Sequence, residues 1–335
     1  MRYIIYGAGG IGGVIGGRLF HHGHEVVLIC RGEHLATIQR QGLTLKTPTE
    51  TLQLSIPAVG HPAEVRFAGG DVVFMTMKSQ DTELALRDLE RTGGSDLPVV
   101  CCQNGVDNER MALRRFVRVY GMVVWLPATY LEPGIVLNEA TPVGGVLDIG
   151  CYPEGIDALA TQIAADLNRS GFGSQPDPHI MRWKYAKLLS NIRNALQAIC
   201  GPEVHAPEFV RALREEALAC YRAAGIEFVP EEELRQRVQS QLRLADVEGR
   251  SRGGSSSWQS LKRGLTSIEA DFLNGEIVLL GALHGVPTPY NRLLQKVVNQ
   301  IAHAGKPPGS MRVEDLRQML SVESGVGPSE GGRFE

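Results

Sequence analysis

The chain is poor in the features that mark special protein classes. None of its six cysteines (Cys30, Cys101, Cys102, Cys151, Cys200 and Cys220) forms a CxxC pair or stands at zinc-ligand spacing from a histidine. No metal site and no thioredoxin-like motif is therefore expected. Several sit in apolar surroundings, as reduced, buried thiols of a cytosolic protein do. Cys101 and Cys102 are adjacent, and neighbours on a strand point to opposite faces, which favours ordinary packing over a redox pair. No run of about 18 apolar residues occurs, so no membrane-spanning helix is expected. The apolar stretch after Arg2 is broken repeatedly by glycine and lacks a small-residue cleavage pattern, unlike a secretion signal. The cytoplasm is the expected location. A net charge of −3 without a Lys/Arg run leaves no footprint for nucleic acid or a membrane surface.

What is present is an ordinary globular composition, 43% hydrophobic and 21% charged, over 335 residues, enough for two domains each with its own core. Short apolar runs at Arg2–Tyr6, Glu25–Cys30, Asp71–Met77 and Pro98–Cys102 read as buried strands. Helical patterns follow them at Ile11–His22, His34–Gln41, Gln80–Arg91 and from Val106. Strand alternating with helix predicts a parallel sheet covered on both faces. Leu43–Val59 shows alternating strand patterns and Val117–Gly150 is strand-rich. A helix near Gly155–Arg169 and a short strand at Gly171–Gln175 close the first domain, placed at residues 1–177. Pro176 and Pro178 punctuate the boundary.

Beyond it, helical spacing runs through His179–Cys200, Pro207–Ala224, Glu231–Leu244, Ser267–His284 and Asn291–Ala304, interrupted at the Gly/Ser-rich stretch Gly249–Ser257. This predicts an all-helical domain over residues 178–306, with Thr288 and Pro289 as N-cap and first helical position. Residues 307–335 are expected to be a flexible tail, Gly-, Ser- and Glu-rich towards Glu335.

The chemistry starts at Gly7-Ala8-Gly9-Gly10-Ile11-Gly12, a GxGxxG immediately after a strand and opening a helix. Gly7 permits the tight turn, Gly9 lets backbone approach a pyrophosphate, and Gly12 lets helix and strand pack closely. The fold class is thus α/β, a Rossmann-type dinucleotide-binding domain followed by the all-helical one. Dinucleotide sites for NAD commonly carry an acid at the end of the second strand. Here Arg31 stands there, and its planar fork suits a 2′-phosphate, favouring NADPH over NADH; a solvated surface arginine is the plainer reading. Lys78 and Asn104 end the next two parallel strands, where ligands of open α/β sheets sit, although Lys78 would equally suit a helix start. In the second half, Lys187, Asn191 and Asn194 fall within roughly 60° on one helical face at 100° per residue. Leu188, Leu189, Ile192 and Leu196 surround them. A polar pocket or a solvated stripe would account for that face.

The order of GAGGIGG, Arg31, TMKSQDT, QNG, K-x-x-x-N with a further asparagine, Ser257, Glu269 and PTPYN resembles the ketopantoate reductases, from about Met1 to His303. The resemblance implies an active site in the cleft between the domains. It makes Lys187 the general acid at the substrate carbonyl, and Glu269, twelve residues after Ser257, its partner in binding and orienting substrate. It gives Ser257 to the substrate carboxylate and Asn191 and Asn194 to substrate oxygens. Asn104 belongs to the nicotinamide–substrate junction, Lys78 lies beside the cofactor, and Ala128 matches the nicotinamide pocket through a gapped alignment. Lys184, one turn before Lys187, ranks below it because only Lys187 has an asparagine four residues on. Two departures stand out. The second asparagine follows Asn191 by three residues where the family often has four. The segment SSSWQSLKRG has Trp258 where pantoate-forming members often have methionine, and Leu261 near their aspartate. The implied activity is NADPH-dependent reduction of a small 2-oxo acid, ketopantoate first. The alternatives are a paralogous dehydrogenase with another carbonyl substrate and a non-catalytic NADPH-binding sensor. A homodimer is left open.

Overall fold

A computed structural model of the chain describes residues 1–249 and 253–323. It divides into two compact units, Met1–Leu188 with Glu227–Arg252, and Leu189–Ile226 with Gly253–Glu335.

The first unit is built on a seven-stranded sheet in the order Val146–Cys151, Val119–Trp125, Val99–Cys101, Asp71–Met75, Arg2–Tyr6, Glu25–Ile29, Ala58–Val59. All neighbours are parallel except the edge strand Val146–Cys151. The first strand lies between the second and Asp71–Met75, with Arg2 level with both Glu25 and Asp71. The strand order therefore reverses beside Arg2–Tyr6, which opens a crevice at the carboxyl ends of that strand and of Asp71–Met75.

A second sheet of four short strands, Thr51–Leu54, Leu43–Lys46, Ile135–Asn138 and Ala128–Thr129, accounts for the alternating patterns. The helix Gly10–His21 packs between the two sheets, which explains its glycines. A Cβ on Gly16 would meet Leu28 of the main sheet at 2.8 Å, and one on Gly13 would meet Val136 of the second sheet at 2.8 Å. Gly12 and Gly16 face one sheet, Gly13 and Gly17 the other, each pair four residues apart on one helical face. Each helical glycine costs roughly 0.5–1 kcal/mol relative to alanine. That cost is offset by letting Val14, Ile15 and Leu19 bury completely with Tyr3, Ile5, Leu43 and Leu45.

The segment 227–252 departs from expectation. Glu231–Leu244 is not one helix: the helix ends at Gln239, and Leu242–Leu244 forms a strand antiparallel to Ala140–Pro142. Arg237 pairs with buried Asp148 at 2.6 Å, and Val229 and Leu234 join a cluster with Val123, Ile180 and Trp183. These long-range partners hold the segment to the first unit, so the compact units do not follow a single cut at residue 177.

In the second unit the structured elements among the described residues are helical; Pro207–Ala224 forms as expected and Pro289–His303 nearly so, whereas two other expected helices are broken. His179–Cys200 is two helices, Ile180–Asn191 and Asn194–Cys200, and Ser267–His284 resolves into a 3-10 turn at Glu269–Phe272 and a helix at Asn274–His284. A short helix, Ser256–Lys262, emerges from the Gly/Ser-rich stretch, capped by the Ser255 hydroxyl. Pro289 does open a helix, but Thr288 makes no side-chain cap. Glu216 replaces it, accepting from the backbone N–H of Tyr290 at 2.8 Å and of Asn291 at 3.0 Å. Of the expected tail, Val313–Glu323 is a helix with Leu316 fully buried, whereas residues 324–335 lie outside the described residues.

Candidate active site

The dinucleotide cradle forms at the crevice. Gly7 has φ +104, and a Cβ there would come within 2.6 Å of the Met77 backbone nitrogen, so only glycine turns the chain here. Gly12 approaches the strand so closely that a Cβ would lie 2.6 Å from the Gly7 carbonyl oxygen and 2.8 Å from Ile5. Gly9 differs, since the nearest atom to a Cβ there is Tyr130 at 3.8 Å. Gly7 and Gly12 are thus required by the protein's own packing, whereas Gly9 leaves an open surface at the helix start. That surface fits a pyrophosphate, which needs close backbone approach at a helix N-terminus. Ala8 and Ile11 complete the loop, and buried Ala128 packs against Gly10 (3.6 Å to a Cβ there). Buried His34 ties the loop down. Its Nδ1 accepts from the Gly134 N–H at 2.9 Å, which leaves Nε2 to donate to the Ala8 carbonyl at 2.7 Å. Sequence reasoning missed this histidine, whose partners are 26 and 100 residues away.

Arg31 ends its strand as the N-cap of Gly32–Gln41, three-quarters exposed, with Asp81 3.7 Å away. A guanidinium so accessible at this strand end fits a cofactor phosphate. Lys78 is half-buried at the start of a 3-10 turn after Asp71–Met75.

Next to the cradle, at the carboxyl end of Val99–Cys101, lies a narrow polar recess lined by Gln103, Asn104, Met122, Val124, Lys184 and Lys187. Lys187 is buried; its ammonium donates to Asn104 Oδ1 at 2.7 Å and to the Val124 carbonyl, and stands 5.3 Å from the Trp125 ring centroid. Two residues picked from the sequence 83 positions apart therefore meet in one hydrogen bond. Asn104 is held from behind: its carbonyl accepts from Asn108 Nδ2 at 3.1 Å, and Asn108 in turn accepts from Thr82 at 2.8 Å. Lys184 is also buried and pairs with Glu109, which no sequence feature singled out. Burial pushes the Glu109 carboxyl up, and the Lys184 ammonium opposes that shift. Burial likewise pushes the Cys101 and Cys102 thiols up, and all six cysteines are free, as expected.

The remaining predicted residues belong to the second unit. Asn191 is the last residue of its helix, with its Oδ1 buried and lacking a hydrogen-bond partner among the described residues. Asn194 starts the next helix, so Lys187, Asn191 and Asn194 do not share one continuous helical face, contrary to expectation. The Asn194 carbonyl accepts from Ser255 at 3.2 Å, which ties it to the segment carrying buried Ser257. Glu269 is buried at the start of its 3-10 turn. Trp258 lies across the backbone of Gly253 and Gly254, where a Cβ would meet its ring at 2.9 and 2.8 Å, and Leu261 is buried.

Residues 3–154 match the family model for ketopantoate reductase PanE/ApbA, and residues 179–302 match that for its C-terminal domain. The chain belongs to the ketopantoate reductase family. It is accordingly an NADP-dependent oxidoreductase acting on CH–OH groups. It is 28% identical to the 2-dehydropantoate 2-reductase of Pyrococcus horikoshii over 89% of this chain and 96% of that one. It is also 28% identical to that of Archaeoglobus fulgidus, over 90% and 97%. Among solved structures it is similar to a PanE/ApbA family ketopantoate reductase from Ralstonia eutropha (29% identity, TM-score 0.77, covering 91% of this chain and 99% of that one). D-mandelate dehydrogenase shares the fold at 24% identity and TM-score 0.78, with 91% and 99% covered. For this ketopantoate reductase family member, no group of His, Cys, Asp and Glu among the described residues could hold a metal ion, and no described helix is long and apolar enough to cross a membrane.

Proposed function

We propose that the chain reduces the keto group of a small 2-oxo acid with NADPH, and that 2-dehydropantoate is the substrate, giving pantoate for coenzyme A synthesis. The observation that carries this reading is the Lys187–Asn104 hydrogen bond of 2.7 Å at the strand ends beside the glycine cradle. Gly7, Ala8, Gly9, Gly10, Ile11 and Gly12 hold the pyrophosphate, Arg31 the 2′-phosphate, and Lys78, Asn104 and Ala128 the nicotinamide end. The nicotinamide supplies the hydride when bound. As charge develops on the substrate oxygen, the Lys187 ammonium stabilises it and delivers the proton. Asn104 holds that ammonium in place, while Ser257, Asn191, Asn194 and Glu269 bind and orient the 2-oxo acid. The enzyme works in the cytoplasm, with the first compact unit as the dinucleotide domain and the second carrying the substrate-binding Asn191, Asn194, Ser257 and Glu269.

Trp258 and buried Leu261 favour a second reading, a paralogous reductase for a different 2-oxo acid. A panel of ketopantoate, pyruvate, 2-oxoisovalerate and oxaloacetate, assayed by NADPH oxidation, separates the two. Turnover of ketopantoate well above the others supports the first reading. Silence on ketopantoate alongside turnover of another 2-oxo acid overturns it in favour of the second.

A further inference from the structure

The helix Ile180–Asn191 sends two buried lysines into the same recess, three residues apart and so about 60° apart around its axis. They reach adjacent residues of one strand end. Lys184 donates to the Gln103 carbonyl at 3.1 Å, and Lys187 donates to Asn104 Oδ1 at 2.7 Å. Lys184 also pairs with Glu109, which is completely buried and whose Oε2 has no hydrogen-bond partner among the described residues. Burying such a pair costs desolvation that attraction seldom repays in stability, and an open carboxylate oxygen adds to the cost. The carboxylate packs closely all the same: a Cβ on Gly121, mid-strand in Val119–Trp125, would touch Glu109 Oε1 at 3.5 Å and press on Ile180 at 3.2 Å.

We propose that Lys184 and Glu109 are a buried positioning pair. Lys184 fixes the Gln103–Asn104 strand end that receives the Lys187 ammonium, and Glu109 cancels the charge Lys184 would otherwise hold against Lys187. The other titratable groups about the pair do not take over that role. Burial pushes Cys101, Cys102 and Tyr152 towards their neutral forms, and Asp107 is paired with Arg110 at 2.9 Å. The effect on turnover rests on the function proposed above; the effect on the lysine protons does not.

Two variants test this, with thermal stability followed in each. Lys184→Met leaves no uncompensated cation. It should lower kcat ~10-fold, the scale of a small misplacement of a reacting group, while NADPH Kd and substrate KM stay within about 3-fold. A purely structural role would instead lower Tm and leave kcat unchanged, and that result overturns the proposal. Glu109→Gln removes the counter-charge, so two buried ammonium groups share the recess and one of them must release its proton more readily. NMR of lysine-labelled protein without substrate should show the titration midpoint of Lys184 or Lys187 falling, and Lys184→Met/Glu109→Gln should leave Lys187 at its value in the unaltered chain. Unmoved midpoints for both lysines in Glu109→Gln refute the charge-cancelling role whatever the substrate proves to be.

Discussion

Two glycines of the cradle, three residues apart, should fail in opposite ways when each gains one methyl group. At Gly12 the new Cβ would lie 2.6 Å from the Gly7 oxygen and 2.8 Å from Ile5, closer than real Cβ atoms come. Overpacking of this kind costs ~1–3 kcal/mol, against ~0.5–1 kcal/mol gained by alanine in a helix. The clash wins. Gly12→Ala should lower stability by about 1–2 kcal/mol, or Tm by ~2–8 °C at ~2–4 °C per kcal/mol for a unit of this size. At Gly9 the backbone has φ −71, which alanine adopts freely, and the nearest atom is 3.8 Å away. Gly9→Ala should therefore leave Tm unchanged while weakening NADPH at least ~10-fold, about 1.4 kcal/mol. Calorimetry reads the first quantity and NADPH fluorescence titration the second. If Gly9→Ala binds NADPH like the unaltered chain, or loses as much stability as Gly12→Ala, the division of roles within the loop is wrong.

Lys187→Ala should keep NADPH affinity within about 3-fold while kcat falls ~100-fold or more, the range of a lost general acid; an active variant removes Lys187 from that role. Arg31→Ala should weaken NADPH at least ~10-fold more than NADH, and equal losses in parallel titrations would refute the 2′-phosphate contact. Tyr120 donates to Asp157 at 2.6 Å, and burial, reinforced by that carboxylate, pushes its phenol up from 10.0 to about 12. The folded state thus favours the neutral phenol, and stability present below pH 10 is lost as pH rises towards 12. Tyr120→Phe should be less stable at pH 7, with the gap closing above pH 10; a constant gap in denaturation midpoints contradicts this.

Features that act locally were legible in the sequence. The GxGxxG loop, Arg31 at its strand end, and Lys78 and Asn104 at theirs follow from rules spanning a few residues, and the structure has them at the carboxyl ends of neighbouring parallel strands. Features requiring a distant partner were not. Leu242–Leu244 carries no strand signal of its own and becomes a strand because Ala140–Pro142 offers an edge. The Thr288 hydroxyl was the obvious cap, yet Glu216, more than seventy residues earlier, does the work. Nothing local singled out Glu109, whose partner Lys184 lies 75 residues on. The available signal was Lys184, the first lysine of Trp183-Lys184-Tyr185-Ala186-Lys187, since a lysine among apolar helix neighbours needs a counter-charge somewhere.

Hydride delivery to a 2-oxo acid is tested most directly by isotope transfer. NADPH carrying deuterium at both C4 positions of the nicotinamide would be incubated with ketopantoate and the protein, and the product examined by mass spectrometry. The expected product is pantoate carrying deuterium at C2, formed by the unaltered chain and at least ~100-fold more slowly by Lys187→Ala. Unlabelled product, or no 2-hydroxy acid despite bound NADPH, would contradict it.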